Sequence, residues 1–205
     1  MRPVIDAGPC LNFLAAHAER VLLSAVGPLC APETVRDEVL RKASGSSRFA
    51  PAAQLWHKLE PKWIEVLSDD ATPELAAVVQ RLSGLPVAER MRSGQDLGET
   101  MVIAHAVVAV ESGLDVIVLI DDRAGALAAT RESQRLQRLR TAGNRVGHLT
   151  IASTLTVLSK TAGTKHLPDK LAMRGLYDRM RDLDAGLVHI DQTPLLSPDV
   201  WRQKG

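Results

Sequence analysis

The segment Val116-Ile117-Val118-Leu119-Ile120 constrains the fold more than any other part of this chain. It is an unbroken apolar run, rich in β-branched residues, and it stops at Asp121-Asp122. A strand buried on both faces reads as a continuous apolar run, and such strands belong to parallel sheets covered by helices. Helical patterns lie on both sides of it. One runs from Asp96 to near Gly113, with Met101, Val102, Ala104, Val108 and Ala109 as apolar positions. The other begins near Ala124 and extends to Arg140.

The rest of the chain repeats this alternation. Val4-Ile5, Leu29-Cys30-Ala31 and Trp63 to Leu67 are strand candidates. Helical patterns cover Cys10 to Leu23, the stretch after Pro32 through Glu38 and Leu40, Ala52 to Leu59, Thr72 to Gly84, Thr150 to Ser159, and Pro168 to Leu183. Ser44 to Ser47 reads as a loop, Gly143 to Gly147 as a loop or short strand, and the tail from Thr193 to Gly205 as poorly fixed. Alternating strands and helices give the α/β class. At 205 residues a single domain is the default.

The carboxylates sit where elements begin or end. Asp6 follows Val4-Ile5, Asp121 and Asp122 follow the central strand, and Glu99 opens the helical segment that starts at Gln95-Asp96. Ligands of open α/β sheets bind outside the carboxyl ends of the strands. Acids gathered there repel one another unless a cation neutralises them. An all-oxygen set suits Mg²⁺ or Mn²⁺. Each acid also has a structural explanation. Asp96 with Glu99 matches a capping box. Asp121 or Asp122 fits the N-cap of the next helix. Glu38 and Lys42 form an i,i+4 pair. Asp6 is harder to explain that way, because an acid directly after a buried strand needs a partner.

The same residues carry a family resemblance. Val4-Ile5-Asp6-Ala7-Gly8-Pro9 with Leu11-Asn12-Phe13-Leu14 resembles the opening of a PIN domain. Pro32 to Leu40 resembles the second motif, with Glu38 at its acid. Asp96-Leu97-Gly98-Glu99 with Ile103 to Ala106 resembles the third, and Val118 to Gly125, with Asp121-Asp122-Arg123, the fourth. The resemblance covers residues 1 to about 160. It implies a three-layer α/β/α fold with a mostly parallel central sheet. Residues 161–205, outside the resemblance, are expected to form a helical extension packed on the same domain. PIN proteins are mostly ribonucleases that act on single-stranded RNA with Mg²⁺ or Mn²⁺, and many are toxins of toxin–antitoxin pairs. The similarity therefore implies that Asp6, Glu99 and one or both of Asp121 and Asp122 hold the metal. Glu38 would complete a catalytic set with Asp6, Glu99 and Asp122. It also implies RNA as substrate, a small antitoxin partner, and a homodimer, for which the apolar stripe through Leu176 and Met180 is the candidate interface. Asn12, Arg123, Arg131 and Arg135 are the candidate RNA contacts.

Three departures accompany the resemblance. No second basic residue follows Arg123 closely, the stretch Ala128 to Arg140 is long, and the last 40 residues match no part of the pattern. A silent RNA- or protein-binding module and another Mg²⁺-dependent phosphohydrolase stay open as alternatives. The nucleophilic-aspartate type is disfavoured by Asp6-Ala7-Gly8 in place of Asp-x-Asp. The six histidines lack zinc-ligand spacing, and His105 reads as a packing residue. Arg131, Arg135 and Arg138 make a basic stripe, read first as a solvated helix face. The net charge of +1 gives no global pull on a polyanion, so any such partner needs a local patch. Aromatics are few, so aliphatics and alanine must fill the core. Cys10 and Cys30 form no CxxC pair, no apolar run approaches the roughly 18 residues of a membrane span, and the N-terminus lacks a signal-like apolar region; a cytoplasmic protein is expected.

Overall fold

The apolar run 116–120 is the fourth strand of a five-stranded sheet in which every pairing is parallel, in the order β3-β2-β1-β4-β5. The computed structural model describes residues 1–94 and 96–202. Its strands are β1 (Val4–Ile5), β2 (Leu29–Pro32), β3 (Ile64–Leu67), β4 (Val116–Leu119) and β5 (Leu149–Ala152). The helices are α1 (Ala7–Ala15), α2 (Glu19–Val26), α3 (Glu33–Gly45), α4 (Ala50–Leu59), α5 (Pro73–Ser83), α6 (Val87–Arg90), α7 (Leu97–Glu111), α8 (Arg123–Thr141), α9 (Thr154–Thr161), α10 (Lys170–Leu183) and α11 (Pro198–Arg202). Helix α7 packs against α3, α5 and α8, while α1 packs against α2, α4 and α10. The result is the three-layer α/β/α arrangement, with the sheet wholly rather than mostly parallel.

Strand β1 has only two residues, both fully buried, yet it sits at the centre of the sheet. Val4 pairs with Cys30 of β2 on one side and Val118 of β4 on the other, and Ile5 pairs with Leu119. The strand order reverses direction between β1 and β4. A crevice opens at such a switch point, at the carboxyl ends of the two strands.

Aliphatics and alanine dominate the single contiguous core, around Trp56, Phe13 and Tyr177. Cys10 and Cys30 are free, buried thiols. No helix among the described residues is long and apolar enough to cross a membrane.

Four local expectations are corrected. The pattern from Cys10 to Leu23 is two helices, not one. The amide of Ala18 donates to the Phe13 carbonyl (2.8 Å) and that of His17 to Leu14 (3.2 Å), a Schellman closure with His17 at φ 54°. The usual glycine is missing there, so the break left no mark in the sequence. Thr150 and Ile151 belong to β5 rather than to a helix, because pairing with β4 over Val116 to Leu119 satisfies their backbone. Helix α9 starts only after Ser153, whose side chain forms a capping box with Thr156. The tail is docked as far as residue 202: Ile190 and Leu195 are fully buried, and the Trp201 indole donates to the Leu195 carbonyl at 2.8 Å. Residues 203–205 lie outside the described residues.

The fourth correction concerns α10. Met173, Leu176, Tyr177 and Met180 are all buried inside the chain, so the stripe expected at a dimer interface is used internally. Only Leu171 of that helix is an exposed large apolar residue, at 80 %. A homodimer has to use another surface. Leu176→Ala is expected to lower unfolding free energy by about 2–4 kcal/mol, as a core truncation does. The molar mass in solution should not change, and denaturant titration with light scattering on the same samples checks both.

Candidate functional site

Asp6 begins where β1 ends. Its amide donates to the Leu119 carbonyl at 3.0 Å, which carries the β1–β4 ladder one step past the strand. Its side chain turns back to cap α1, accepting from the Gly8 amide at 3.4 Å. Across this pairing β4 runs out through Ile120 into Asp121 and Asp122. These two acids, both beyond the strand, have different partners. Asp121 accepts from the Thr154 amide (2.7 Å) and hydroxyl (2.5 Å), and from the Asn12 amide group (3.5 Å). Asp122 caps α8, accepting from the amides of Ala124 (2.7 Å) and Gly125 (3.2 Å).

Glu99 enters from the first turn of α7. The capping-box reading of this acid fails: Asp96 is in the left-handed region at φ 52°, and its side chain caps nothing. Gln95 lies outside the described residues. Glu99 lies instead against Gly125 of α8, where a Cβ would fall 2.5 Å from its carboxyl carbon. Glu38 reaches in from α3, pairs with Lys42 at 2.7 Å, and lies over Gly98, where a Cβ would come within 3.1 Å of its Oε2. Both glycines are helical, so their value here is space rather than conformation.

Asp6, Glu38, Glu99, Asp121 and Asp122 line one cavity of about 680 Å³, together with Asp96 and Asp184. The basic side chains on its wall are Arg41, Lys42 and Arg123. The charge imbalance shows in the titration of the acids. Burial, reinforced by Glu38 and Asp121, pushes Asp6 up to about 6 against the amides of Ala7 and Gly8. Burial, with Asp122, Asp6 and Asp96 nearby, pushes Glu99 to about 7. Asp121 is also raised, because burial outweighs its bonds to Thr154.

The donor set is all oxygen, its charge is disfavoured by burial, and it faces one cavity. Those features fit a hard divalent cation. Asp6 and Glu99, with Asp121 or Asp122, are the residues able to hold it. Among the described residues no three such side chains are already grouped tightly enough to hold a metal ion. The acids therefore share a cavity wall rather than a closed cage.

The candidate RNA contacts separate. Arg123 is exposed on the cavity wall. Asn12 is only 2 % exposed and does not face solvent. Its amide group bridges Asp121 and Asp184, reaching the latter at 3.0 Å. Arg135 is tied to Glu132 at 2.8 Å and to Glu111, which also hold Arg81, so it is a structural cation joining α5, α7 and α8. Arg131 is exposed on α8 and does not line the cavity. His105 is a packing residue: it bonds Asp69 at 2.9 Å, and Asp69 accepts the Thr34 amide at 2.8 Å.

Sequence reading missed the C-terminal wall. Asp184, Gly186, Leu187 and Val188 line the cavity beside Tyr177, whose hydroxyl donates to the Val188 carbonyl at 2.9 Å. The available signal was Asp184-Ala185-Gly186, a turn in which the Gly186 amide donates to Asp184 at 2.8 Å. That marks a turn without saying where it docks.

Compared with known proteins, the chain matches no family model, no curated protein and no solved structure. Its resemblance to PIN domains rests on the four motifs alone.

The raised acids fix a pH dependence. Asp6 and Glu99 titrate higher in the folded chain than in the unfolded one, so ionisation costs the folded state. The stability they contribute as neutral acids is complete below about pH 4 and is lost as pH rises through 6 to 7. Denaturant titrations of metal-free protein should show this loss. Asp6→Asn keeps the α1 cap and should raise stability near pH 7.5 by about 1–3 kcal/mol. A destabilisation at that pH would make Asp6 a structural acid.

Proposed function

We propose that this protein is a Mg²⁺- or Mn²⁺-dependent ribonuclease that hydrolyses phosphodiester bonds of single-stranded RNA, a toxin-type endonuclease with a small antitoxin partner, acting in the cytoplasm. The observation that carries the proposal is the meeting of Asp6, Glu99, Asp121 and Asp122 in one cavity at the switch point of a parallel sheet. The four motifs supply the substrate class by resemblance.

A divalent cation bound there would supply positive charge beside a phosphodiester and acidify water enough to serve as the nucleophile near neutral pH. Asp6 and Glu99 would hold it from different elements, the end of β1 and the first turn of α7. Thr154 and Asn12 keep Asp121 in place behind them. Arg123, at the N-terminus of α8, offers its guanidinium to a phosphate oxygen on the same wall, where the helix dipole also favours an anion. The Glu38–Lys42 pair forms part of the rim. Water would be the nucleophile, so no side chain would be esterified.

A second reading is a catalytically silent module that binds RNA or protein. It is favoured by the engagement of both Asp121 oxygens with Thr154 and Asn12. The two readings separate by cleavage of single-stranded RNA with Mn²⁺ and with EDTA: the nuclease cuts only in the first, and the silent module in neither.

Two substitutions address the site itself. Glu99→Gln should cost more than the roughly 10–100-fold that outer-sphere partners of a metal cost, while the fold stays intact. Gly125→Ala should push the Glu99 carboxylate aside and weaken Mn²⁺ binding, read by calorimetry, by about 10-fold or more. The clash reaches Glu99 Cγ as well as the carboxyl, so the whole side chain must move, and thermal denaturation of the variant reads the cost to the fold separately. Unchanged Mn²⁺ affinity in both variants would remove Glu99 from the site.

A further inference from the structure

A second groove, of about 690 Å³, opens directly beside the acidic cavity. The two share Gly8, Arg41, Lys42, Asp184 and Gly186, so one runs into the other. The groove adds Arg48 and Phe49 from the turn after α3. We propose that this groove is the track for the backbone of single-stranded RNA leading into the cavity. Arg41 and Arg48 hold phosphates, and Phe49, packed against the core, carries the Arg48 guanidinium over its ring. The proposal rests on the phosphodiesterase reading for its choice of polyanion.

Four observations carry it. Arg41 and Arg48 are exposed, and among the described residues neither guanidinium meets a carboxylate, whereas Arg81, Arg135 and Lys42 are all paired. The helix dipole explains a cation at the end of α3 such as Lys42, but not Arg48, which lies beyond that end. The Arg48 guanidinium lies 4.6 Å from the centre of the half-buried Phe49 ring, so cation and aromatic face stand together. The ring fixes the Arg48 cation at the groove, and a positively charged groove that tracks the backbone is one half of what sequence-tolerant binding of single strands uses. Lastly, a chain with net charge +1 must hold a polyanion through a local patch, and the stripe on α8 is partly consumed by Glu111 and Glu132.

The test uses the full chain carrying Asp6→Asn, so that binding is read without cleavage. The probe is a short fluorescein-labelled oligouridylate, followed by anisotropy over a series of salt concentrations. Arg41→Ala with Arg48→Ala should weaken binding about 10-fold or more. It should also lower the log–log salt slope by about 1.4, since each phosphate contact on a single strand contributes about 0.7. Phe49→Ala, which removes the ring under the Arg48 guanidinium, should weaken binding by less than the arginine pair does, and Arg131→Ala with Arg138→Ala should change neither affinity nor slope. Arg41 and Arg48 are exposed, so the thermal midpoint should not move, and the charge-reversing pair Arg41→Glu with Arg48→Glu should deepen the loss. Parent-like binding and slope in the Arg41/Arg48 variants would overturn the track. So would a parent that ignores the oligonucleotide, which would leave the groove to a protein partner. Groove-dependent binding by a wild-type chain that cleaves nothing would support the track while refuting the nuclease.

Discussion

The amide of Asp6 donates to the carbonyl of Leu119, and this one bond sets the geometry of the cavity. It extends the pairing of a two-residue strand with β4 past the end of the sheet, and so brings Asp6 alongside Asp121 and Asp122. Because β1 is fully buried between β2 and β4, the chain there has little freedom to turn away. The crowding of negative charge follows from strand pairing, which fixes backbone positions before side chains have any say.

Several features accommodate that crowding. Gly98 and Gly125 lack the methyl groups that would collide with Glu38 and Glu99. Asp121 is held by Thr154 from beyond β5 and by Asn12 from α1, and Asn12 also holds Asp184 of the C-terminal segment. Residues 184–188 are therefore part of the cavity rather than an appendage, anchored behind by Tyr177 and Ile190. Burial still leaves Asp6, Glu99 and Asp121 short of stabilising partners for their charge, which is why all three titrate high. Such concentrated cost is typical of sites where function rather than stability sets the residue type.

Charge is also sorted in space. Among the described residues, seven acids face the cavity with Arg41, Lys42 and Arg123, while Arg81 and Arg135 are held in a separate half-buried network of α5, α7 and α8. Glu132, only 6 % exposed, holds Arg81 and Arg135 there. A burial that deep needs paired partners, so those arginines belong to the packing of α5, α7 and α8.

The sequence by itself determined the class of fold and the location of the acids. Five apolar, mostly β-branched residues before Asp121 read as a covered strand, and an acid after each of two central strands of a parallel sheet falls at its crevice. Local capping chemistry was equally legible at Thr72, whose hydroxyl accepts from the Leu75 amide. The pairing of Thr150 and Ile151 with β4, the docking of Asp184 and the fate of Arg135 were decided by tertiary structure, through partners distant in sequence: Ile117 and Val118, Asn12, and Glu111. The break at His17 is local, closed by the Phe13 and Leu14 carbonyls, and it left no mark in the sequence because histidine rather than glycine takes the positive φ. Periodicity reports which face of an element is apolar. It does not report which neighbour covers that face, so the stripe of α10, with Leu176 and Met180 in the core, carries the same pattern as an exposed interface would.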